Sequence, residues 1–163
     1  MTTATPSKTE VKTTWPVAKI QEETAAAIMR NMRLTFQVVD KAGPEVLKNW
    51  YQAFNKMRVE YFRAKGVKTP IELVKAMSEF EANIFGSEMR IWGDEKQAHL
   101  EYITCGCWNA MQKANIPQTE LEHMSKNCAK NNDEFAAEFG FTGEMKKGEK
   151  AGEPCMTLTF TRK

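Results

Sequence analysis

The feature that most constrains this chain is a change of hydrophobic period. Through the first half, up to about Ile84, apolar residues recur three and four apart. At Glu88, and again near Thr142, they alternate one by one. The first spacing puts apolar side chains on one stripe of a helix, the second on one face of a strand. A chain that makes both switches builds helices and strands in separate blocks, which is the signature of an α+β fold.

The helical blocks carry their own punctuation. The first has a stripe of Ala25, Met29, Met32, Phe36 and Val39, closed by Lys41-Ala42-Gly43-Pro44, a glycine stop followed by a proline restart. A second helix over 44–65 places Leu47, Trp50, Phe54, Met57 and Tyr61 on one face and stops at Gly66. A third begins at Thr69-Pro70-Ile71-Glu72, a capping box with proline in the first turn, and continues through Leu73, Met77, Phe80 and Ile84. Alternation over 88–92, a turn at Gly93-Asp94-Glu95 and renewed alternation over 97–104 predict a β-hairpin. A short helix over 107–114 ends before Pro117. Thr119-Glu120-Leu121-Glu122 reads as a second capping box, opening a helix with Leu121, Met124, Cys128, Phe135 and Phe139 on one face, up to Gly140. The stretch 142–163 reads as another hairpin, with Met156, Leu158 and Phe160 pointing one way and Cys155, Thr157, Thr159 and Thr161 the other. The expected architecture is an α+β domain spanning 16–163, with helices packed on one face of a small, about four-stranded antiparallel sheet made of two hairpins. Residues 1–15, polar and rich in Thr and Lys, are expected to be a tail or an arm onto another subunit of a homo-oligomer or larger complex.

Bulk properties exclude some partners. A net charge of +2, from 23 basic and 21 acidic residues, gives no field that argues for nucleic acid. No apolar run is long enough to span a bilayer, so no membrane partner is expected. The opening residues hold no apolar segment of the secretory kind, and the expected location is cytoplasmic. In that compartment the four cysteines, Cys105, Cys107, Cys128 and Cys155, are read as free thiols or metal thiolates, not disulfides.

These cysteines are the distinctive constellation. The chain has no glycine-rich phosphate loop, no His-Glu-x-x-His, no Gly-x-Ser-x-Gly and no Cys-x-x-Cys. Cys128 sits 11 positions before Phe139, roughly 16 Å down a helix at about 1.5 Å per residue. A strand over 142–149 runs back roughly 23 Å at about 3.3 Å per residue, so the turn that follows returns Cys155 to the level of Cys128. If strand 97–104 lies antiparallel to the last strand, Cys105 reaches the same edge. His99 shares a strand face with Glu101, Ile103 and Cys105, which makes it a candidate base or fourth ligand. Each residue also has a plainer reading. Cys128 and Cys155 fit as packing residues and His99 as a hydrogen-bonded surface histidine. Cys105 and Cys107 fit as one packed and one exposed thiol at a strand-to-helix junction.

Three short motifs carry a resemblance. Ile103-Thr104-Cys105-Gly106, Cys128-Ala129-Lys130-Asn131 and Gly152-Glu153-Pro154-Cys155 occupy the order and spacing of a strand ending in Cys-Pro, a helix with Cys-x-x-Asp and a strand opening with Gly-x-x-Cys. In this, residues 97–160 resemble the L-2-amino-thiazoline-4-carboxylate hydrolase-like family, which is related to 4-vinyl-reductase-type ligand-binding domains. Gly106 stands in place of the proline and Asn131 in place of the aspartate. The resemblance implies a small-molecule hydrolase acting on a cyclic amidine or amide through a cysteine-lined pocket. The expected roles are Cys105 as nucleophile or ligand, His99 as base, and Cys105, Cys128 and Cys155 as a ligand set for a zinc-type divalent metal. Trp92, Trp108 and Asn131 are expected to line the pocket. The alternative is a non-catalytic small-ligand-binding or accessory subunit.

Overall fold

Thr69 starts the helix that the sequence marks most clearly. In the computed structural model, which describes residues 15–125, 128–148 and 154–163, the Glu72 amide donates to Thr69 Oγ1 at 3.4 Å. The Glu72 carboxylate accepts in return from the Thr69 amide at 3.0 Å. This helix, α3 (Pro70–Phe85), ends at Gly86, whose φ of 70° is the left-handed geometry that glycine adopts without strain. It follows α1 (Val17–Lys41) and α2 (Pro44–Ala64). Next come β1 (Glu88–Gly93), β2 (Gln97–Thr104), α4 (Gly106–Lys113), α5 (Gln118–Ser125), α6 (Cys128–Ala137), β3 (Phe141–Lys147) and β4 (Met156–Arg162). No helix among the described residues is long and apolar enough to cross a membrane.

The four strands form one antiparallel sheet in the order β1-β2-β4-β3. The two predicted hairpins are therefore present, and they join through β2 and β4, with Ala98 opposite Phe160 and Leu100 opposite Leu158. Alternation decides the faces. Ala98, Leu100, Tyr102, Leu158 and Phe160 are buried against the helices, while His99, Glu101, Thr157 and Thr159 stand on the other side. Leu73, Val74, Leu100, Phe135 and Phe160 are fully covered in the main core. Each contributes on the order of 1.5–3 kcal/mol by leaving water. A smaller core lies where α1 crosses α4, around Ala25, Met29, Ala110 and Leu121.

Two elements depart from the sequence expectation. Thr119 is not a cap: α5 already includes Gln118, and the Glu122 carboxylate accepts from the Gln118 side chain at 3.1 Å. The Pro117 carbonyl takes the first amides of the helix. In α2, Met57 and Tyr61 are exposed, at 57% and 43%, and the buried positions of the second half are Asn55, Val59 and Phe62. The early aromatics pack sideways, Trp50 against Phe36 of α1 and Phe54 against Trp50. Farther along, α2 turns a partly polar stripe inward against α3 and α6, which a search for apolar spacing passes over. The expectation for residues 1–14 lies outside the described residues.

Gly106 is the tightest junction. A Cβ there would collide with the Phe85 backbone carbonyl and crowd the Ser87 amide at 2.9 Å. Backbone on both sides leaves nothing flexible to yield. Gly106→Ala is therefore expected to destabilise by about 1–3 kcal/mol, lowering the melting temperature by several degrees in calorimetry. Gly140→Asn faces open space at a φ of 77°, which Asn tolerates, so its cost should stay below about 1 kcal/mol. Equal losses in the two variants would contradict the packing described here.

Candidate functional site

Below the end of β2 the core stops being apolar. Ser87 in the α3–β1 link bonds Glu81 on α3 and the Gly106 amide at the start of α4, and Arg58 on α2, Tyr102 on β2 and Cys105 lie within electrostatic reach of Glu81. The Arg58 guanidinium lies 4.1 Å from the centroid of the Phe135 ring, a cation–π placement that fixes it over the core. Burial lowers its pKa, against the pull of Glu81 and Tyr102. Among the described residues it makes no hydrogen bond and has no carboxylate within 4.0 Å.

Glu81 faces the same interior. Burial raises its pKa, and the Ser87 hydroxyl and Arg58 pull it partway back. The local hydrogen bonds are ordered by donor type. The Gly106 amide donates to Ser87 Oγ at 3.0 Å, which leaves the Ser87 hydroxyl to donate to Glu81 Oε2 at 3.3 Å. The close approach of Gly106 to Phe85 and Ser87 is thus what ties the carboxylate to the start of α4. Tyr102 is only 3% exposed. Its phenol is held protonated by burial, with Glu81 and Cys105 adding to the effect, and its hydroxyl has no hydrogen-bond partner among the described residues.

Two of the four cysteines, Cys105 and Cys155, lie at this end of the sheet. Cys105 is the N-cap of α4, its Sγ accepting from the Trp108 amide at 3.4 Å. That contact lowers the thiol pKa, as expected of a helix N-terminus, but burial outweighs it and the net shift is upward. Cys155 precedes β4, its Sγ 3.4 Å from the Tyr102 carbonyl and within electrostatic reach of Cys105. Cys107 points instead toward α1, its Sγ 3.7 Å from Met29 Sδ, and burial pushes its pKa far up. Cys128 is exposed, not the buried helix-face residue of the plainer expectation. The covered stripe of α6 is Asn132, Phe135 and Ala136, and Cys128 lies one turn beyond it. Among the described residues, no group of three or more His, Cys, Asp or Glu side chains could hold a metal ion. The zinc-type centre expected from Cys105, Cys128 and Cys155 is therefore not assembled.

His99 and Trp92 are separated from this interior by the sheet itself. They stack on the uncovered face with ring centroids 4.9 Å apart, and His99 Nδ1 pairs with Thr159 Oγ1 at 3.0 Å. The expectation that His99 shares a face with Cys105 fails because a β-bulge breaks the alternation: Met89 pairs with Tyr102 and Glu88 with Thr104, leaving Ile103 as the extra residue. Beyond it the phase is reversed, and Cys105, still extended, packs against the main core. His99 is thus no base for Cys105, and Trp92 is no wall of the same pocket. Trp108 is 41% exposed and reaches Cys105 through its backbone. Asn131 is half-buried beside Tyr51 of α2, whose pKa is raised by burial and by Cys128.

Arg58, Glu81, Ser87 and Tyr102 were missed by sequence reasoning. The signal was available for two of them. Arg58 falls one position before Val59 on the inward side of α2, and Glu81 interrupts the apolar run of α3 between Phe80 and Ile84. A charged residue on a covered stripe is a candidate site residue. Comparison with known proteins gives no matching family model and no significantly similar curated protein.

All four thiols are shifted upward, so at pH 7 each is protonated and alkylates more slowly than a free cysteine. The exposed Cys128 and Cys155 should react with iodoacetamide first, then Cys105, then Cys107, and all rates should climb on going to pH 9. Mass spectrometry of peptides from a timed reaction gives the order, and labelling of Cys105 ahead of Cys155 would contradict it.

Proposed function

We propose that the chain is a small-ligand-binding domain whose pocket is the polar interior between α2, α3 and the end of β2. The ligand class favoured is a small cyclic amidine or amide, as in the hydrolase-like family that residues 97–160 resemble. One observation supports this above the others: the half-buried Glu81 carboxylate accepts a single side-chain hydrogen bond, from the Ser87 hydroxyl at 3.3 Å, and so keeps acceptor capacity for a donor from outside the protein. Ring nitrogens of an amidine complement it.

Hydrolysis is the second reading, supported by the position of Cys105 at the rim of this interior. A thiolate there would add to the amidine or amide carbon. The ring bond from that carbon to its leaving heteroatom would break as the heteroatom takes the proton given up by the thiol. Water would then displace the sulfur, releasing the ring-opened product and the free thiol. Burial opposes that thiolate in the free protein. A cationic amidinium bound beside it would favour the ionised sulfur, so activation would come with the substrate. His99 has no part in this step.

A thermal-shift titration tests the proposal. 2-Amino-thiazoline-4-carboxylate and related cyclic amidines should raise the melting temperature of the wild type by several degrees at saturating concentration, and the rise should shrink markedly in Glu81→Gln. Chromatographic detection of a ring-opened product, lost in Cys105→Ser, would select hydrolysis. Binding without product would select the non-catalytic reading. No shift with any cyclic amidine would refute the ligand class.

A further inference from the structure

α1 carries two apolar stripes, and the fold covers one of them. Ala25, Ala26, Met29 and Phe36 are buried against the rest of the molecule. Val17, Ile20, Ile28, Leu34 and Val38 are exposed, Val17 at 82%, Leu34 at 61% and Val38 at 69%. A surface helix ordinarily has one apolar stripe, with charged residues opposite it. At about 100° per residue, the exposed set lies on the side of α1 turned away from the buried set. Its spacing is that of a coiled-coil seam: Val17, Ile20, Thr24, Ala27, Asn31, Leu34 and Val38 follow one another at alternating steps of three and four residues. None of them is charged, although Lys19, Glu22, Glu23, Arg30 and Arg33 stand between them in the sequence. Thr24 and Asn31 are exposed and Ala27 is half-buried, so the seam is open along its length.

We propose that this seam is a dimer interface, in which α1 packs against α1 of a second copy of the chain, parallel and in register. Asn31 decides both the occupant and the direction. In a parallel pair it meets Asn31 of the second copy, and two facing amides can each donate and accept. A single Asn in a seam fixes register in this way. An antiparallel pair would set Asn31 against an apolar residue such as Ile20 or Ala27, covering its amide without a partner. An unrelated helix would have to bring an amide to the same level, whereas a second copy supplies it by symmetry. The flanking charges agree. In the parallel register Glu23 falls beside Ile28 of the second copy and Arg30 beside Thr35 of the second copy, so no like charges meet. The area is sufficient but modest. α1 has 25 residues, roughly 37 Å of helix at about 1.5 Å per residue. Two copies joined along the seam remove on the order of 1,000 Å² from water, the lower edge of a specific interface, so the dimer is reversible.

Analytical ultracentrifugation of the intact chain tests the interface. The wild type should sediment as a reversible monomer–dimer system, with dimer predominating at submillimolar concentration. Leu34→Glu and Leu34→Lys should each weaken self-association by at least about tenfold, with unchanged helical circular dichroism because Leu34 is exposed. In a parallel, in-register pair position 34 faces its own copy, so an equimolar mixture of the two variants should dimerise again. Val38→Glu mixed with Val38→Lys repeats the test at a second exposed position should a Leu34 variant fold poorly. A wild type that remains monomeric would overturn the proposal and leave the seam to residues 1–14 of the same chain or to a helix of another protein. A dimer that survives the substitutions at full strength uses another surface and overturns it too. Variants that are monomeric alone and stay monomeric when mixed would overturn the parallel register.

Discussion

The pairing of β2 with β4 is the contact on which the rest of the molecule depends. It joins two hairpins that are separated in sequence by three helices, and its register places Leu100 opposite Leu158 and Tyr102 opposite Met156. One core face therefore runs across all four strands. The same register brings the start of β4, with Cys155, beside the end of β2, where the chain turns into α4 at Cys105. A slip of one residue would exchange the two faces of the sheet, putting His99 and Glu101 into the core and Leu100 and Tyr102 into water. Burial on one side alone is enough to exclude it.

From that frame the polar interior follows in steps. α3 lies against β1 and β2 and ends at Gly86. The short link through Ser87 needs the missing side chain of Gly106 to pass so close to α4. That approach carries the amide–hydroxyl–carboxylate chain of Gly106, Ser87 and Glu81. α2 and α6 close the opposite side, where Phe62 and Phe135 meet edge to face at 5.9 Å and Arg58 lies on the second of these rings. A packing constraint at one glycine thus becomes an electrostatic feature on the far side of the core.

The periodicity switches at Glu88 and Thr142 announced the sheet, and the capping box at Thr69 announced α3, because both are local effects written in neighbouring residues. The pairing of β2 with β4 was legible only as a permitted arrangement, since strand order depends on contacts between distant segments. Of the three cysteines expected to meet at one sheet end, Cys105 and Cys155 come near each other there, while Cys128 is an exposed residue of α6. Their chemistry was not legible, because burial overrode the helix-terminus effect on Cys105. His99 was misplaced by carrying strict alternation through Ile103, where a β-bulge reverses the phase. Arg58 and Glu81 went unseen because apolar spacing counts only what is hydrophobic, and the charged members of a covered stripe carry no period of their own.

The ionisation of Glu81 tests the central claim most directly. Carbon-13 detection of the glutamate side-chain carboxyls during a pH titration follows Glu81 individually, with Glu81→Gln assigning its signal. In the free protein the signal should titrate above the ordinary glutamate range, because burial raises its pKa. Saturation with a cationic or zwitterionic ligand should move that transition downward, since a positive group beside the carboxylate favours its charged form. A Glu81 that titrates at the ordinary glutamate value and does not respond to any such ligand would contradict the account.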